Sequence, residues 1–182
     1  MNVLVDPSVA GGADRADASR TLVRPAAGDD DFRAARELFT EYAAWLGIDL
    51  CFQGFNEELA TLPGKYAPPK GRLFLAFARH DEAPKVAGCV AIRPLQVDTT
   101  TTSCELKRLW VRDAFRGLSL GRALTVAAID AGRTIGYRSI KLDTLPSIMP
   151  NAVAMYRSFG FVECEPYYHN PIPGSMYMEL AL

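Results

Sequence analysis

The residues with the most chemical potential lie in FRGLSLGRAL, Phe115 to Leu124, where two glycines and two arginines separate a strand-like apolar run from a helical pattern. Gly117 and Gly121 permit close backbone approach or a positive φ, and Arg116 and Arg122 can make charge-assisted bonds to phosphate oxygens. A strand that ends in a small-residue loop and opens a helix points several backbone N–H groups, and the positive end of the helix, at one spot. Such a spot binds anions. The same ten residues can also form a plain strand-to-helix turn with solvated arginines, so the rest of the chain must decide.

Other site chemistries are poorly supplied. The pattern GxxxxGK[ST] is absent, and no GxGxxG follows an early strand with an acidic residue about twenty positions on, which excludes the usual nucleoside triphosphate and dinucleotide loops. Cys51, Cys89, Cys104 and Cys164 form no CxxC pair and His80 and His169 are the only histidines, so no metal site is expected. No cysteine or serine stands with a histidine in a nucleophilic constellation, and Cys104 is the one thiol to watch.

The elements that must hold the loop can be read from periodicity. Residues 1–20, rich in Ala, Gly, Asp and Ser, read as a flexible leader without a signal peptide, and a single domain is expected over 21–182. TLVRPA reads as a strand and DDDFRAARELFTEYAAWLG as a helix capped by Asp29 to Asp31, with Phe32, Ala35, Leu38, Phe39, Tyr42 and Leu46 as its core stripe. A short helix in NEELATL, with Asn56 as its cap, precedes two strands, RLFLAFAR and VAGCVAIRPL, joined by HDEAPK. SCELKRLWV is the strand that feeds the glycine loop. The following helix, from about Ser119 or Gly121 to Ala131, is succeeded by the strand SIKLD, the helix IMPNAVAMYRSF and the strands FVEC and SMYMELAL. The order β α α β β β α β α β β implies an α/β domain with a mixed sheet and helices on both faces.

Composition sets the partners. With 49% hydrophobic and 23% charged residues and no apolar run of membrane-spanning length, the chain reads as a soluble globular protein. A net charge of -1 gives no overall field to recruit nucleic acid or an anionic membrane. Dispersed cysteines, three of them in apolar or strand-like surroundings, fit reduced thiols and a cytoplasmic location.

Taken together, ELKRLWVRDAFRGLSLGRAL and the later LPSIMPNAVAMYRSFGF resemble the GCN5-related N-acetyltransferase (GNAT) superfamily over residues from about Leu22 to Leu182. Arg116 and Gly121 open and close that family's pyrophosphate signature, and Tyr156, Gly160 and Phe161 match its helix that carries a tyrosine and ends in GF. The resemblance implies the GNAT fold, a mostly antiparallel sheet of about seven strands, and acetyl transfer from acetyl-CoA to an amine without a metal. It implies that the backbone of Leu109, Trp110 and Val111 pairs with the pantetheine arm. The N–H groups of Gly117, Leu118, Ser119, Leu120, Gly121 and Arg122 would hold the pyrophosphate, with Arg116 beside them. It also implies Tyr156 as general acid and Glu105 as base, although Glu105 can equally be a strand-surface partner of Lys107 or Arg108.

Two residues depart from the pattern. Ser119 stands where the signature has glycine, which a helical φ would tolerate and a positive φ would strain by about 1–2 kcal/mol. Met149 stands where many members carry a CoA-contacting asparagine, and Asn151 does not take over that role. Trp45, Phe52, Phe55, Tyr66, Tyr167, Tyr168 and His169 suggest an aromatic acceptor pocket, with Asp49, Glu57 or Glu58 available to an ammonium group. A small-molecule primary amine, acetylated directly in a ternary complex, is the expected acceptor, and a homodimer is an option. The alternatives are an acyl-CoA-binding sensor or interaction module without turnover, and a protein or peptide N-acetyltransferase.

Overall fold

The computed structural model describes residues 21–80, 83–95 and 102–182. The leader expected over residues 1–20 and the tip of the HDEAPK connection, 81–82, lie outside the described residues. The elements follow the anticipated order: β1 (Thr21–Pro25), α1 (Gly28–Leu46), α2 (Phe55–Ala60), β2 (Arg72–His80), β3 (Ala83–Pro94), β4 (Ser103–Val111), α3 (Leu120–Ile135), β5 (Ser139–Thr144), α4 (Pro150–Ser158), β6 (Val162–Glu163) and β7 (Met176–Ala181).

The described residues form one seven-stranded sheet in the order β1-β2-β3-β4-β5-β7-β6. Its pairs are antiparallel except β4 with β5, which run parallel because α3 carries the chain across between them. Period-two alternation along the strands gives the sheet two apolar faces. On one, Val90, Ile92, Leu106, Ile140 and Leu142 pack with Leu120, Leu124 and Ala128 of α3 and Tyr156 of α4. On the other, Leu73, Leu75, Ala91 and Trp110 pack with Ala35, Leu38 and Phe39 of α1 and Phe55 of α2.

Two features aim the site. First, the β4–β5 ladder is short: Ser103, Cys104 and Glu105 pair with Ser139, Ile140 and Lys141, and beyond that point the strands part. The remainder of β5 stays paired to β7 and that of β4 to β3, so a notch opens between them. Second, β4 carries a bulge. Cys89 faces Trp110 and Ala91 faces Lys107, so Arg108 and Leu109 together oppose the single residue Val90, with Arg108 at φ 58. Strict alternation would send Arg108 to the face opposite Lys107. The left-handed residue instead turns both cations to the α1/α2 side.

Helix ends differ from the expected caps. Ala27, not an aspartate, is the N-cap of α1, and Asp31 reaches back to accept from its N–H at 2.8 Å and from Arg24 at 2.9 Å. Gly54 precedes α2, which places Asn56 inside the helix rather than at its cap. Both helices start where a residue with non-helical backbone is available, which outweighs side-chain capping preference.

Candidate active site

The glycine loop lies at the end of β4. Arg112 donates to Glu41 of α1 at 2.7 Å and to the carbonyl of Val86 at 2.7 Å, which ties this strand end to its neighbours. The first intrahelical bond of α3 runs from the Ala123 N–H to the Ser119 carbonyl at 3.1 Å, so the N–H groups of Leu120, Gly121 and Arg122 precede it and point out of the helix end. Gly117 has φ +87, a conformation that glycine alone adopts without strain. Ser119 has φ 55, not the helical value that would suit it, and its side chain makes no cap bond. The chain must reverse within Gly117–Ser119 to present the helix end, and that turn overrides the preference of serine.

Gly121 has neither a positive φ nor a close neighbour. A methyl group there would meet only Met155 Sδ, at 3.7 Å. Nothing among the described residues requires glycine at this position. The two loop arginines are turned to the rim: Arg116 pairs with Asp113 at 2.8 Å and covers the Trp110 ring at 5.6 Å, while Arg122 donates to Ser158 Oγ at 2.8 Å and covers Phe159 at 4.5 Å.

The notch between β4 and β5 holds a small cavity of ≈ 50 Å³ lined by Leu109, Thr144, Met149 and Tyr156 among others. Leu109, Trp110 and Val111 lie on β4 past its last pairing with β5, so that edge is free to take an added extended chain. The Tyr156 ring is buried and packs at a tilt on Phe161 at 5.5 Å, while its hydroxyl has no partner among the described residues and keeps access to the cavity. Burial pushes that hydroxyl's pKa well up, so it remains a proton carrier at neutral pH. Among the described residues, the buried side-chain polar atoms without a partner are Gln53 Oε1 and Thr144 Oγ1, and both residues line this cavity. Buried polar groups are otherwise almost always satisfied.

A larger cavity of ≈ 590 Å³ adjoins it, and Gln53 and Lys107 line both. Its floor is a network of buried ion pairs. Glu105, 2% exposed, accepts at Oε2 from Arg93 (2.9 Å) and at Oε1 from Lys107 (3.2 Å) and the Tyr167 hydroxyl (3.1 Å). Lys107 also reaches Asp143 at 2.9 Å, and Asp143 accepts from Tyr168 at 2.9 Å. Burial opposes the charge of Asp143, but Lys107 and Tyr168 outweigh it and hold its pKa below the usual carboxylate range. Arg108 grips Glu58 of α2 through Nε and Nη2, both at 2.8 Å, and Tyr66 donates to Glu58 at 2.9 Å. Burial likewise opposes the charge of Glu58, and Arg108 holds it low.

Several sequence readings change. Glu105 is not on the strand surface, and although it does pair with Lys107, its other cation is Arg93. Glu58 is buried with its charge already matched by Arg108 through both oxygens, so it is not a free anion for an ammonium group. Asp49 is exposed and accepts from the Cys51 N–H at 2.8 Å. Of the aromatic set, Phe52, Tyr167 and Tyr168 line the large cavity, whereas Trp45 stacks on Trp110, Phe55 lies under Arg108 and Tyr66 is buried on Glu58. His169 is exposed. Cys104 points to the sheet face opposite Glu105, and burial raises its thiol pKa to about 12, which leaves no thiolate to act as nucleophile. Arg93, Asp143, Gln53 and Thr144 escaped the sequence reading. For Lys107, the spacing with Glu105 on a central strand was a usable signal, since like-facing charges on such a strand must be paired inside.

Comparison with known proteins agrees with this geometry. Residues 32–161 match the Acetyltransferase (GNAT) family. An uncharacterised N-acetyltransferase of Schizosaccharomyces pombe is 44% identical over 153 residues, which span 84% of this chain and 88% of that protein. An acetyltransferase structure from Streptococcus agalactiae superposes with a TM-score of 0.69 at 20% identity, covering 89% of this chain and 98% of that one. The spermidine N-acetyltransferase of Vibrio cholerae, solved with CoA and spermine, superposes with a TM-score of 0.64 at 18% identity, covering 90% of this chain and 96% of that one. With that family match, a relative 44% identical over most of both chains, an open β4 edge and the hydroxyls of Thr144 and Tyr156 on one slot, this chain belongs to the acetyltransferase (GNAT) family and is an acetyl-CoA-dependent acyltransferase.

Proposed function

We propose that the protein acetylates a primary amine of a small molecule by direct transfer in a ternary complex. The observation that carries this reading is the ≈ 590 Å³ cavity, a size suited to a small ligand, which meets the notch at Gln53 and Lys107. The Vibrio cholerae relative in fold, whose name records a small amine, supports the same class of acceptor.

In this reading the N–H groups from Gly117 to Arg122 hold the pyrophosphate, with Arg116 on the rim, and the edge of Leu109, Trp110 and Val111 aligns the amide-bearing arm. The bound acetyl thioester supplies the activated acyl group, and C–N bond formation with C–S cleavage gives the amide and the CoA thiol. Tyr156, with a free hydroxyl in the slot, returns a proton to the departing sulfur. Glu105 receives the amine's proton at Oε1, where Tyr167 is the neutral partner and the one displaced at least electrostatic cost. Arg93 and Lys107 stay in place and keep the carboxylate aimed.

A sensor without turnover draws on the same observation that both Glu105 oxygens are already engaged. Release of CoA, followed with a thiol reagent across a panel of small amines and lysine peptides, decides. Turnover of small amines is expected. Thermal stabilisation by CoA with no thiol release from any amine would establish the sensor, and release with peptides alone would reassign the acceptor.

A further inference from the structure

The charge of the large cavity is unevenly placed. The carboxylates in and beneath its floor are balanced: Glu105 by Arg93 and Lys107, Asp143 by Lys107, and Glu58 by Arg108. Its wall adds two exposed cations, Lys65 and Lys70, and neither has a carboxylate partner among the described residues. Glu105 is the one described carboxylate that lines the cavity, and it is buried in its ion pairs. A polyamine entering here finds no free anion, whereas an anionic group finds two free ammonium groups.

Another part of the wall offers an acceptor atom. The Tyr168 hydroxyl gives its single proton to Asp143 at 2.9 Å, so its oxygen must accept from Gln53 Nε2 at 3.2 Å and from Asn170 Nδ2 at 3.2 Å. That chain fixes the Gln53 amide. Its NH2 faces Tyr168, and the atom left without a donor is the buried Oε1, on a residue that lines both cavities and a further small one beside Lys65. A buried acceptor without a protein donor is a place where a ligand N–H is gained at full value.

Building on the small-amine reading above, we propose that the acceptor is a small primary amine that also carries an anionic group, such as a carboxylate. It binds with its nitrogen at Gln53 Oε1, facing the notch, and its anion at Lys65 and Lys70. The orientation follows from the slot: the nitrogen must reach it, Gln53 borders it, and Lys65 and Lys70 do not.

Steady-state kinetics of the full chain with acetyl-CoA test this on matched acceptors: an aminocarboxylate, its carboxamide, an aminophosphonate and a linear polyamine. At least about a tenfold advantage in kcat/KM is expected for the anionic amines over the carboxamide, shrinking as salt screens the lysines. In the double variant Lys65→Gln/Lys70→Gln the ratio should fall towards one. Gln53→Leu should lower kcat/KM for the amine about tenfold or more with the KM for acetyl-CoA unchanged, and Gln53→Glu, which retains an acceptor oxygen, should recover part of the loss. Equal efficiency for carboxylate and carboxamide, or a preference for the polyamine, overturns this proposal while leaving the small-amine function intact. A Gln53→Leu effect confined to acetyl-CoA overturns the placement of the nitrogen. Turnover of peptides alone would overturn the function and this inference together.

Discussion

The glycine loop and the floor of the large cavity both manage charge, and they use opposite materials. The loop relies on backbone N–H groups from consecutive residues at one helix end, which no side-chain exchange other than to proline can remove. The floor relies on side chains gathered from distant positions: Arg93 with Glu105 across 12 residues, Lys107 with Asp143 across 36 and Arg108 with Glu58 across 50. The loop leaves its donors open, whereas the floor is already neutralised from within. Substitutions in the floor should therefore damage stability and specificity together, and substitutions in the loop should damage cofactor affinity with little effect on the fold.

The strongest break of this contrast is Glu58→Ala. It would leave Arg108, with 3% of its side chain exposed, unpaired in the interior, where removal of one partner costs about 3–5 kcal/mol. For a chain of this length that corresponds to a fall in Tm of roughly 6–20 °C, measurable by calorimetry. The pH dependence has a defined sign. Glu58 and Asp143 have folded pKa values below their unfolded ones, so their stabilisation is present above the ordinary carboxylate range, about pH 4, and is lost as pH falls through their lowered values. The acid slope of stability should be shallower in Glu58→Ala. An unchanged Tm would mean that the Arg108 pair contributes nothing.

Tyr156→Phe removes one oxygen from the slot and almost no packing, because the ring keeps its contact with Phe161. With the hydroxyl as proton donor, kcat should fall about a hundredfold or more, with the KM for acetyl-CoA little changed. Full turnover across the pH range would remove Tyr156 from the proton path and leave it as a core residue.

How far the sequence foretold these regions follows the same contrast. The loop was legible because its parts are contiguous: a strand, two glycines, a helix, and the matching segment ending in Gly160 and Phe161. The order of elements along the chain and the helices on both faces were legible because period-two and 3.6-residue patterns are local. The floor was not, since pairs separated by dozens of residues exist only once the sheet is assembled. The turn of Arg108 into the same face as Lys107 depends on a left-handed residue at a bulge, and arginine gives no sign of that conformation. Aromatic composition misled in one respect, because Trp45, Phe55 and Tyr66 proved to be the packing that supports Arg108, Trp110 and Glu58 rather than the cavity wall.

Gly121→Ala sharpens the loop side. Glycine here answers to no neighbour closer than 3.7 Å, and alanine in a helix is favoured over glycine by about 0.5–1 kcal/mol. Stability should rise slightly while the KM for acetyl-CoA rises about tenfold, a difference of about 1.4 kcal/mol in binding. Stability and affinity would then move in opposite directions at one atom, the signature of a position shaped by a ligand. An unchanged KM would refute the cradle.

Ser119 gives the smallest and most diagnostic effect. Its φ of 55 is unfavourable for a residue with a Cβ by about 1–2 kcal/mol, and glycine would relieve that strain. Glycine would also give the unfolded chain more freedom, which returns about 0.4–1 kcal/mol of the gain. A net stabilisation of about 0.5–1 kcal/mol is therefore expected for Ser119→Gly, read as a modest shift of the denaturant midpoint at constant slope. Because the cradle uses the N–H and not the hydroxyl, which makes no cap bond, the KM for acetyl-CoA should stay within about twofold. A marked rise in KM without loss of stability would assign the hydroxyl itself to the bound anion and make the serine a functional replacement for glycine.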